Sequence, residues 1–161
     1  MKNKLIILCG IPCSSKTTWA KEYLANNPNC IRVNRDDLRM MLKDKGFVDK
    51  PLENMISSIQ TMILVEAFIN NLDVIIDATN CKLKYLNNWI DVAESLVLEE
   101  DIEVDLKVKL FEIDKGEAYS RNSKRYQEGK QPLVPINVID NMYNNLQELK
   151  KNFDFDKYKL D

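Results

Sequence analysis

The segment from residue 10 to residue 18 has the residue types and the spacing of a phosphate-binding turn. It reads Gly-Ile-Pro-Cys-Ser-Ser-Lys-Thr-Thr and follows a short apolar run. In the P-loop pattern G-x-x-x-x-G-K-[ST], backbone amides at the start of a helix surround the phosphates of a nucleotide, the lysine reaches the outer phosphates and the hydroxyl binds Mg²⁺. Gly10, Lys16 and Thr17 stand at the required positions. The residues predicted to surround the phosphates are Gly10, Cys13, Ser14, Ser15, Lys16, Thr17 and Thr18.

Ser15 stands where this pattern has its second glycine. Glycine is used there because it adopts unusual dihedral angles and lets the backbone approach the phosphates. A serine at positive φ costs roughly 1 kcal/mol, and its side chain can crowd the phosphates. We therefore predict that Ser15 weakens triphosphate binding without abolishing it. The alternative is a chance Gly-Lys-Thr match in an ordinary strand-to-helix turn.

A second polar segment, residues 34–39, reads Asn-Arg-Asp-Asp-Leu-Arg and follows another apolar run. An aspartate at the end of such a strand can accept the proton of an attacking hydroxyl group. An arginine three residues later lies on the same face of a helix, where it can hold an acceptor phosphate. Asp36 and Arg39 are the candidates for these roles. The alternative is that Asp36 or Asp37 caps the helix, and both interpretations hold if one aspartate caps and the other reacts.

A third segment, residues 74–80, reads Val-Ile-Ile-Asp-Ala-Thr-Asn, so an acidic residue ends an apolar strand. This matches the Walker B position, which organises Mg²⁺ in P-loop enzymes. Thr17 and Asp77 are therefore the predicted metal-binding residues. The alternative is an ordinary turn at a strand end, where aspartate and asparagine are common.

A fourth segment, residues 121–125, reads Arg-Asn-Ser-Lys-Arg and precedes a polar loop. Arg121 and Arg125 are four residues apart, so they point the same way from a helix. A basic helix before a mobile loop is typical of a lid whose arginines neutralise charge on a transferring phosphate. The alternative is a solvated basic face.

The composition limits the kinds of chemistry. The chain has 161 residues, 45% hydrophobic and 30% charged, which is ordinary for one soluble domain and predicts no membrane span. Because the chain has no histidine, Ser-His and Cys-His catalysis are excluded, and a general base must be a carboxylate or, less favourably, a lysine. The net charge of −2 gives no overall basic field, although a few arginines can grip one end of a nucleic acid strand. Four cysteines without C-x-x-C pairing predict reduced thiols and a cytoplasmic protein.

Apolar runs alternate with helical patterns along the chain, which predicts an α/β fold with a four- to five-stranded parallel sheet flanked by helices on both faces. Strands are predicted at residues 5–9, 30–34, 74–77 and 106–113. Helices are predicted at residues 16–24, 36–42, 52–70, 84–98 and 116–125, with a last helix from near Pro135. We expect one domain over residues 1–152, with a lid at residues 116–132, and a short tail at 153–161 that is at most partly ordered.

The four polar segments together resemble one family, the 5′-hydroxyl polynucleotide kinases, and this resemblance implies a P-loop kinase fold. The matching segments occur in the same order and at similar spacing, at residues 10–18, 34–39, 77–80, 121–125 and 134–136. The Asn-Arg-Asp-Asp and Arg-Asn-Ser-Lys-Arg segments are far more specific than the phosphate-binding turn.

On the donor side, the resemblance implies that ATP and Mg²⁺ bind at the turn. Lys16 and Thr17 would contact the β- and γ-phosphates and the metal. Arg125, with Arg121 nearby, would clamp the donor from the lid. The resemblance thus makes Lys16 and Arg125 catalytic residues.

On the acceptor side, the resemblance implies that the substrate is a 5′-hydroxyl end of RNA or DNA, in end healing and repair. Asp36 would be the general base, Arg39 would hold the phosphate of the acceptor nucleotide, and Thr79 and Asn80 would line this side. We expect kinase activity without 3′-phosphatase activity, because no Asp-x-Asp-Gly-Thr motif is present. Two alternatives stay open: a kinase of a nucleoside or small hydroxyl compound, and a nucleotide-binding module without catalysis. A homo-oligomer is also compatible, since the apolar stripe of the last helix fits either the core or a subunit interface.

Overall fold

The computed structural model describes residues 2–44, 46, 48–99 and 102–160. In chain order the elements are β1 (Asn3–Cys9), α1 (Lys16–Asn26), β2 (Cys30–Asn34), α2 (Arg35–Lys43), α3 (Lys50–Ile69), β3 (Asp73–Asp77), α4 (Leu83–Glu99), β4 (Val104–Leu110), α5 (Lys115–Gln127), α6 (Ile136–Asn152) and a short 3₁₀ helix (Asp156–Tyr158). The predicted helices are all present, with ends that differ by a few residues.

The four strands form one parallel sheet in the order β2-β3-β1-β4. Strand β1 pairs with β3 through Leu5 and Val74, and β3 pairs with β2 up to Asp77 and Asn34. After β1 the chain forms β2 and β3 on one side of β1, and it then crosses to form β4 on the other side. The direction in which strands are added to the sheet therefore reverses at β1. Ligands of such sheets bind at the carboxyl ends of the strands near this reversal, where the predicted site residues lie.

Helices cover both faces of the sheet, as predicted, because successive side chains of β1 point to opposite faces. Ile6 and Leu8 pack into a smaller core with Ala20 of α1. Leu5 and Ile7 pack into a larger core that α3, α4 and α6 complete. The α/β prediction is confirmed, and both predicted layers of helices are present.

Strand β4 lies closer to the amino terminus than predicted, at Val104–Leu110 instead of residues 106–113. It begins early because Val104 pairs with Asn3 at the edge of the sheet, although the surrounding residues are polar. It ends early because Asp114 caps helix α5, accepting from the amides of Gly116 at 2.8 Å and Glu117 at 3.3 Å. The chain therefore leaves the sheet before the apolar pattern ends.

The expectation that the tail is at most partly ordered is wrong for its described residues, 153–160. Phe153 stacks on Tyr158 with ring centroids 5.4 Å apart and meets the edge of Phe155 at 5.0 Å. Lys159 forms a parallel bridge with Val108 of β4. In the sequence these aromatic residues alternate with charged ones, which makes the segment resemble an exposed tail, but their rings pack on one another and against the larger core.

Helix α3 is the one helix among the described residues that is long and apolar enough, by length and composition alone, to cross a membrane. Core helices pass the same test, so this is weak evidence for a span. Ile56, Leu64 and Phe68 of α3 are buried in the larger core. We therefore interpret α3 as a core helix.

Candidate active site

The phosphate-binding turn, residues 10–18, connects β1 to α1 at the centre of the sheet edge. Gly10 is required by close packing, because a Cβ atom there would lie 2.7 Å from the backbone oxygen of Phe111. Cys13 and Ser15 have φ angles of 66° and 71°, in the left-handed region. Ser15 thus adopts the left-handed conformation for which the P-loop pattern uses glycine, and it carries the strain expected of a side chain in that conformation.

Lys16 is buried beneath this turn. Its Nζ donates to the backbone oxygen of Ile11 at 2.7 Å and to Oγ of Ser14 at 3.2 Å. Burial lowers the pKa of Lys16, and the thiol of Cys81 and the carboxylate of Asp77 act in the opposite direction. The ammonium group is therefore hydrogen-bonded by neutral oxygen atoms, and a buried ammonium held in this way favours an anionic ligand.

Thr17 and Asp77 come together as the sequence predicts. Thr17 Oγ1 donates to Asp77 Oδ2 at 2.8 Å. The same oxygen accepts from Arg32 Nε at 2.8 Å and from Asn34 Nδ2 at 3.0 Å. Sequence reasoning missed Arg32, which lies inside strand β2 and also pairs with Asp37 at 2.8 Å.

The oxygen atoms of Thr17 and Asp77 are the kind of ligand that Mg²⁺ prefers. Asp77 Oδ1 accepts no hydrogen bond from the described residues, so it is available to a metal or its water shell. Among the same residues no group of three or more Cys, Asp or Glu side chains is placed to hold a metal ion. A hydroxyl and one carboxylate fit Mg²⁺ that takes its other ligands from water and phosphate.

Helix α2 begins at the carboxyl end of β2, but neither aspartate is its cap. Asn34 Oδ1 accepts from the amide of Asp37 at 2.8 Å and caps the helix. Asp36 is 76% exposed in its side chain and forms an ion pair with Arg39 one turn later. The cap that the alternative interpretation gave to an aspartate belongs to Asn34, so Asp36 remains available for chemistry.

Two arginines of α2 share one glutamate of α3. Arg39 donates from Nε and Nη2 to the two carboxylate oxygens of Glu53, at 2.5 and 3.0 Å. Arg35 donates to Glu53 Oε2 from Nε at 2.9 Å and from Nη2 at 2.6 Å. We call Arg35, Arg39 and Glu53 the arginine cluster. Partial burial alone would raise the pKa of Glu53, but hydrogen bonds from Arg39 and Arg35 outweigh it and hold that pKa below its usual range.

The lid helix α5 places its two predicted arginines differently. Arg121 Nη1 donates to the backbone oxygen of Cys13 at 3.2 Å and to Ser15 Oγ at 3.0 Å. Arg125 makes no side-chain hydrogen bond or ion pair with the part of the chain that the structure describes. Between them Asn122 is buried and pairs both of its amide atoms with the backbone of Val134, at 2.8 and 3.1 Å. Arg121 therefore touches the phosphate-binding turn, and Asn122 fixes the far end of the lid loop.

Thr79 and Asn80 follow β3 and line a cleft of about 840 Å³. Asn80 is buried, and its Nδ2 donates to the backbone oxygen of Leu8 at 2.8 Å. The backbone oxygen of Thr79 accepts from the amide of Gly10 at 2.9 Å. Asn80 thus fastens β3 to β1, and the hydroxyl of Thr79 is the better placed of the two to meet a ligand.

The arginine cluster lines the same cleft, which α3, α4 and α6 enclose. Sequence reasoning missed Glu53 altogether, because α3 shows only the apolar spacing of a packing helix. Arg35 lies within the quoted Asn-Arg-Asp-Asp segment, which was the available signal, but the pattern gives it no separate role.

Comparisons with known proteins agree with the fold. A family model described as an AAA domain matches residues 5–149. A chain in a structure of the Pnkp1/Rnl/Hen1 RNA repair complex is 29% identical, with a TM-score of 0.81, and the match covers 96% of this chain and 47% of that one. A chain in a second Pnkp1/Rnl/Hen1 structure is 30% identical, with a TM-score of 0.65 and coverage of 74% and 39%.

A gluconokinase from Sinorhizobium meliloti 1021 is 11% identical, with a TM-score of 0.55 and coverage of 91% and 77%, and this likeness shows the fold alone. The chain spans less than half the length of the chains that it matches in these two complexes. The resemblance predicted from the four polar segments is confirmed by these neighbours, and so is the P-loop kinase fold.

Proposed function

Since the chain belongs to the AAA domain family of P-loop proteins, we propose that it is an ATP-dependent kinase that transfers the γ-phosphate to the 5′-hydroxyl end of RNA or DNA. The observation that supports this most is the exposed Asp36 carboxylate, paired with Arg39, at the carboxyl edge of the sheet, where Lys16 and the Thr17–Asp77 pair also lie. A carboxylate base, an acceptor cation and a phosphate site thus lie along one edge of the sheet.

On the donor side the backbone amides of the turn and Lys16 bind the phosphates of ATP. Thr17 and Asp77 would hold Mg²⁺, which would supply positive charge against the negative charge of the phosphates. Arg121 lies against the turn, and Arg125 is available to donate to the transferring phosphoryl group. Most of the catalysis comes from positioning and charge stabilisation, as is general for phosphoryl transfer.

On the acceptor side Asp36 accepts the proton of the attacking 5′-hydroxyl group. Its exposure leaves a substrate hydroxyl free to approach, and Arg39 orients the carboxylate. Arg39 also holds the phosphate that follows the terminal nucleotide, with Thr79 on the cleft wall. The solved neighbours come from RNA repair complexes, which supports an RNA end as the acceptor and work within an assembly. In this proposal the protein acts in the cytoplasm, as a homo-oligomer or with other chains.

A second candidate is a kinase of a nucleoside or other small hydroxyl compound. The cleft volume of about 840 Å³ is enough for such a ligand. In addition, Glu53 already neutralises part of the positive charge of Arg35 and Arg39. Less of that charge is then left to attract a polyanion such as a nucleic acid, which favours a small acceptor.

Transfer of labelled γ-phosphate from ATP to a 5′-hydroxyl oligonucleotide tests the proposal. We expect Asp36→Asn to lower kcat about 100-fold or more, because the proton acceptor is lost. Asp37→Asn is the matched control, since Asp37 lies in the same turn but pairs with Arg32. If the wild-type protein labels nucleosides or sugars and no oligonucleotide, the second candidate replaces the first. If it binds ATP and transfers to nothing, it is a nucleotide-binding module.

A further inference from the structure

The cleft beside the arginine cluster continues well beyond Arg39. Its floor is α3 and the carboxyl end of β3, and its other walls are α4 and α6. Arg39 contacts both Asp36 and Glu53, and Glu53 lines the cleft. The reacting carboxylate and the cleft are therefore joined by one side chain, so an acceptor bound at Asp36 has the cleft beside it.

The floor of this cleft holds a buried hydrogen-bond donor without a partner. Gln60 of α3 is 2% exposed, and its Nε2 is the one buried side-chain polar atom without a hydrogen bond among the described residues. Gln60 Oε1 accepts from Arg35 Nη1 at 3.0 Å. A guanidinium group has only donors, so this contact fixes which end of the amide is oxygen. Nε2 is therefore a donor that needs an acceptor atom from outside the protein.

Arg35 serves to hold Gln60 in place. Its guanidinium donates to Glu53, to Ser57 Oγ at 2.9 Å and to the Glu53 backbone oxygen at 2.8 Å, besides Gln60. All of these partners belong to α3. Because its donors are engaged within the protein, Arg35 is a positioning residue here and not a phosphate ligand.

The part of the cleft lining that α4 supplies carries flat apolar surface. Tyr85 and Trp89 of α4 are four residues apart, so they lie on one face of the helix, and both line the cleft. The asparagine side chains of Asn88, Asn141 and Asn145 complete this wall. Aromatic faces, carboxamides and an unpaired donor together suit a flat ring with hydrogen-bonding edges, which is the chemistry of a nucleobase.

Building on the polynucleotide kinase function above, we propose that this cleft binds the base of the acceptor's 5′-terminal nucleotide, which packs against Trp89 and Tyr85 and accepts a hydrogen bond from Gln60 Nε2. A carbonyl oxygen or ring nitrogen of the base supplies the acceptor atom. Binding of the base then fixes the terminal nucleotide, and its 5′-hydroxyl group lies at Asp36. The terminal base, and not only the backbone, contributes to recognition of the strand end.

The test compares two 5′-hydroxyl oligonucleotides that are identical except that one has an abasic terminal residue. We expect the wild-type protein to lose about 10-fold in kcat/KM on the abasic end, mainly through a higher KM. Gln60→Glu removes the donor and keeps the oxygen that Arg35 needs, and Trp89→Leu removes the ring. On the normal end each variant loses several-fold, and on the abasic end each equals the wild-type protein.

Gln147→Glu, on α6 outside the cleft, is the matched control and leaves both values unchanged. Calorimetric ATP binding shows that each variant is folded. Equal wild-type kcat/KM on both ends overturns the proposal while leaving the kinase function intact. Variant losses that are the same on both ends overturn it too, since Gln60 then meets only a buried water. Transfer to neither oligonucleotide overturns the kinase function, and this proposal with it.

Discussion

The donor and acceptor sides of the candidate site hold their cations differently. Lys16, on the donor side, is buried, and among the described residues its ammonium group bonds only to the neutral oxygens of Ile11 and Ser14. Arg39, on the acceptor side, is already paired with the carboxylates of Asp36 and Glu53. The donor side thus offers an uncompensated charge, and the acceptor side offers a neutralised one.

This difference indicates what each side recognises. An uncompensated buried ammonium gains most from a highly charged ligand such as a triphosphate. An arginine whose charge is neutralised attracts phosphate only weakly. Its guanidinium group nevertheless keeps a fixed orientation, because bidentate pairing with a carboxylate fixes the guanidinium plane. We therefore expect charge to dominate binding of the donor and geometry to dominate binding of the acceptor.

The largest effect is expected from removing the donor-side charge. Lys16→Met keeps the length of the side chain and removes the ammonium, so kcat/KM for ATP should fall about 100-fold or more. Lys21→Met, an exposed lysine of α1 five residues later, is the matched control and should change kcat/KM less than about twofold. Steady-state kinetics with varied ATP measures both. Equal losses in the two variants would contradict an uncompensated charge at Lys16.

A smaller effect is expected from removing the acceptor-side neutralisation. Glu53→Gln leaves Arg39 less firmly oriented, so kcat should fall about 10-fold. The same change exposes more positive charge, so the dependence of acceptor KM on salt should steepen by about one phosphate contact. Glu66→Gln, on the exposed side of α3, is the matched control. Unchanged kcat and salt dependence would show that Glu53 only supports the fold.

The fold and the parts of the site within short segments were predictable. The P-loop pattern needs only residues adjacent in sequence, and the aspartate after an apolar strand places Asp77 beside Thr17 once the sheet is parallel. The parallel sheet followed from alternating strands and helices, and its existence is confirmed.

The partners that complete the site were not predictable from these patterns. Glu53 lies 14 residues from Arg39 and Arg32 lies 45 residues from Asp77, and each pair forms only when two elements pack together. No local signal distinguishes Glu53 from the other glutamates of the helices. The aromatic contacts of Phe153 and Tyr158 were missed for a different reason, because the alternation of these residues with charged ones resembles an exposed tail.

Replacing Ser15 should change ATP affinity by a still smaller amount, because two consequences of the serine oppose each other. Ser15→Gly relieves a left-handed conformation worth roughly 1 kcal/mol, but it also removes the hydroxyl that accepts from Arg121, worth about 0.5–1.5 kcal/mol. Calorimetry should therefore show ATP affinity within about fivefold of the wild-type protein. Ser15→Ala keeps the strain and loses the hydroxyl, so it should bind more weakly than Ser15→Gly. The reverse order would exclude strain at Ser15 as the cause of weakened binding.

The subtlest consequence of the uncompensated charge is a proton taken up with the nucleotide. Burial lowers the pKa of Lys16 in the free protein, although Cys81 and Asp77 oppose it. Bound phosphates stabilise the ammonium and raise that pKa again. Between these two pKa values the free protein has lost the proton and the complex has it, so binding takes one up, and affinity falls as the pH rises through the lowered pKa.

Calorimetry in two buffers with different ionisation enthalpies measures this uptake, which should be a fraction of a proton that grows with pH. Lys16→Arg is the control, because a guanidinium stays charged throughout this range and should take up none. The arginine control also separates Lys16 from the thiols nearby, since Cys81 remains in both proteins and burial raises its pKa to about 11. Equal uptake by the two proteins would assign the proton to another group and remove the evidence that Lys16 is held without a charged partner.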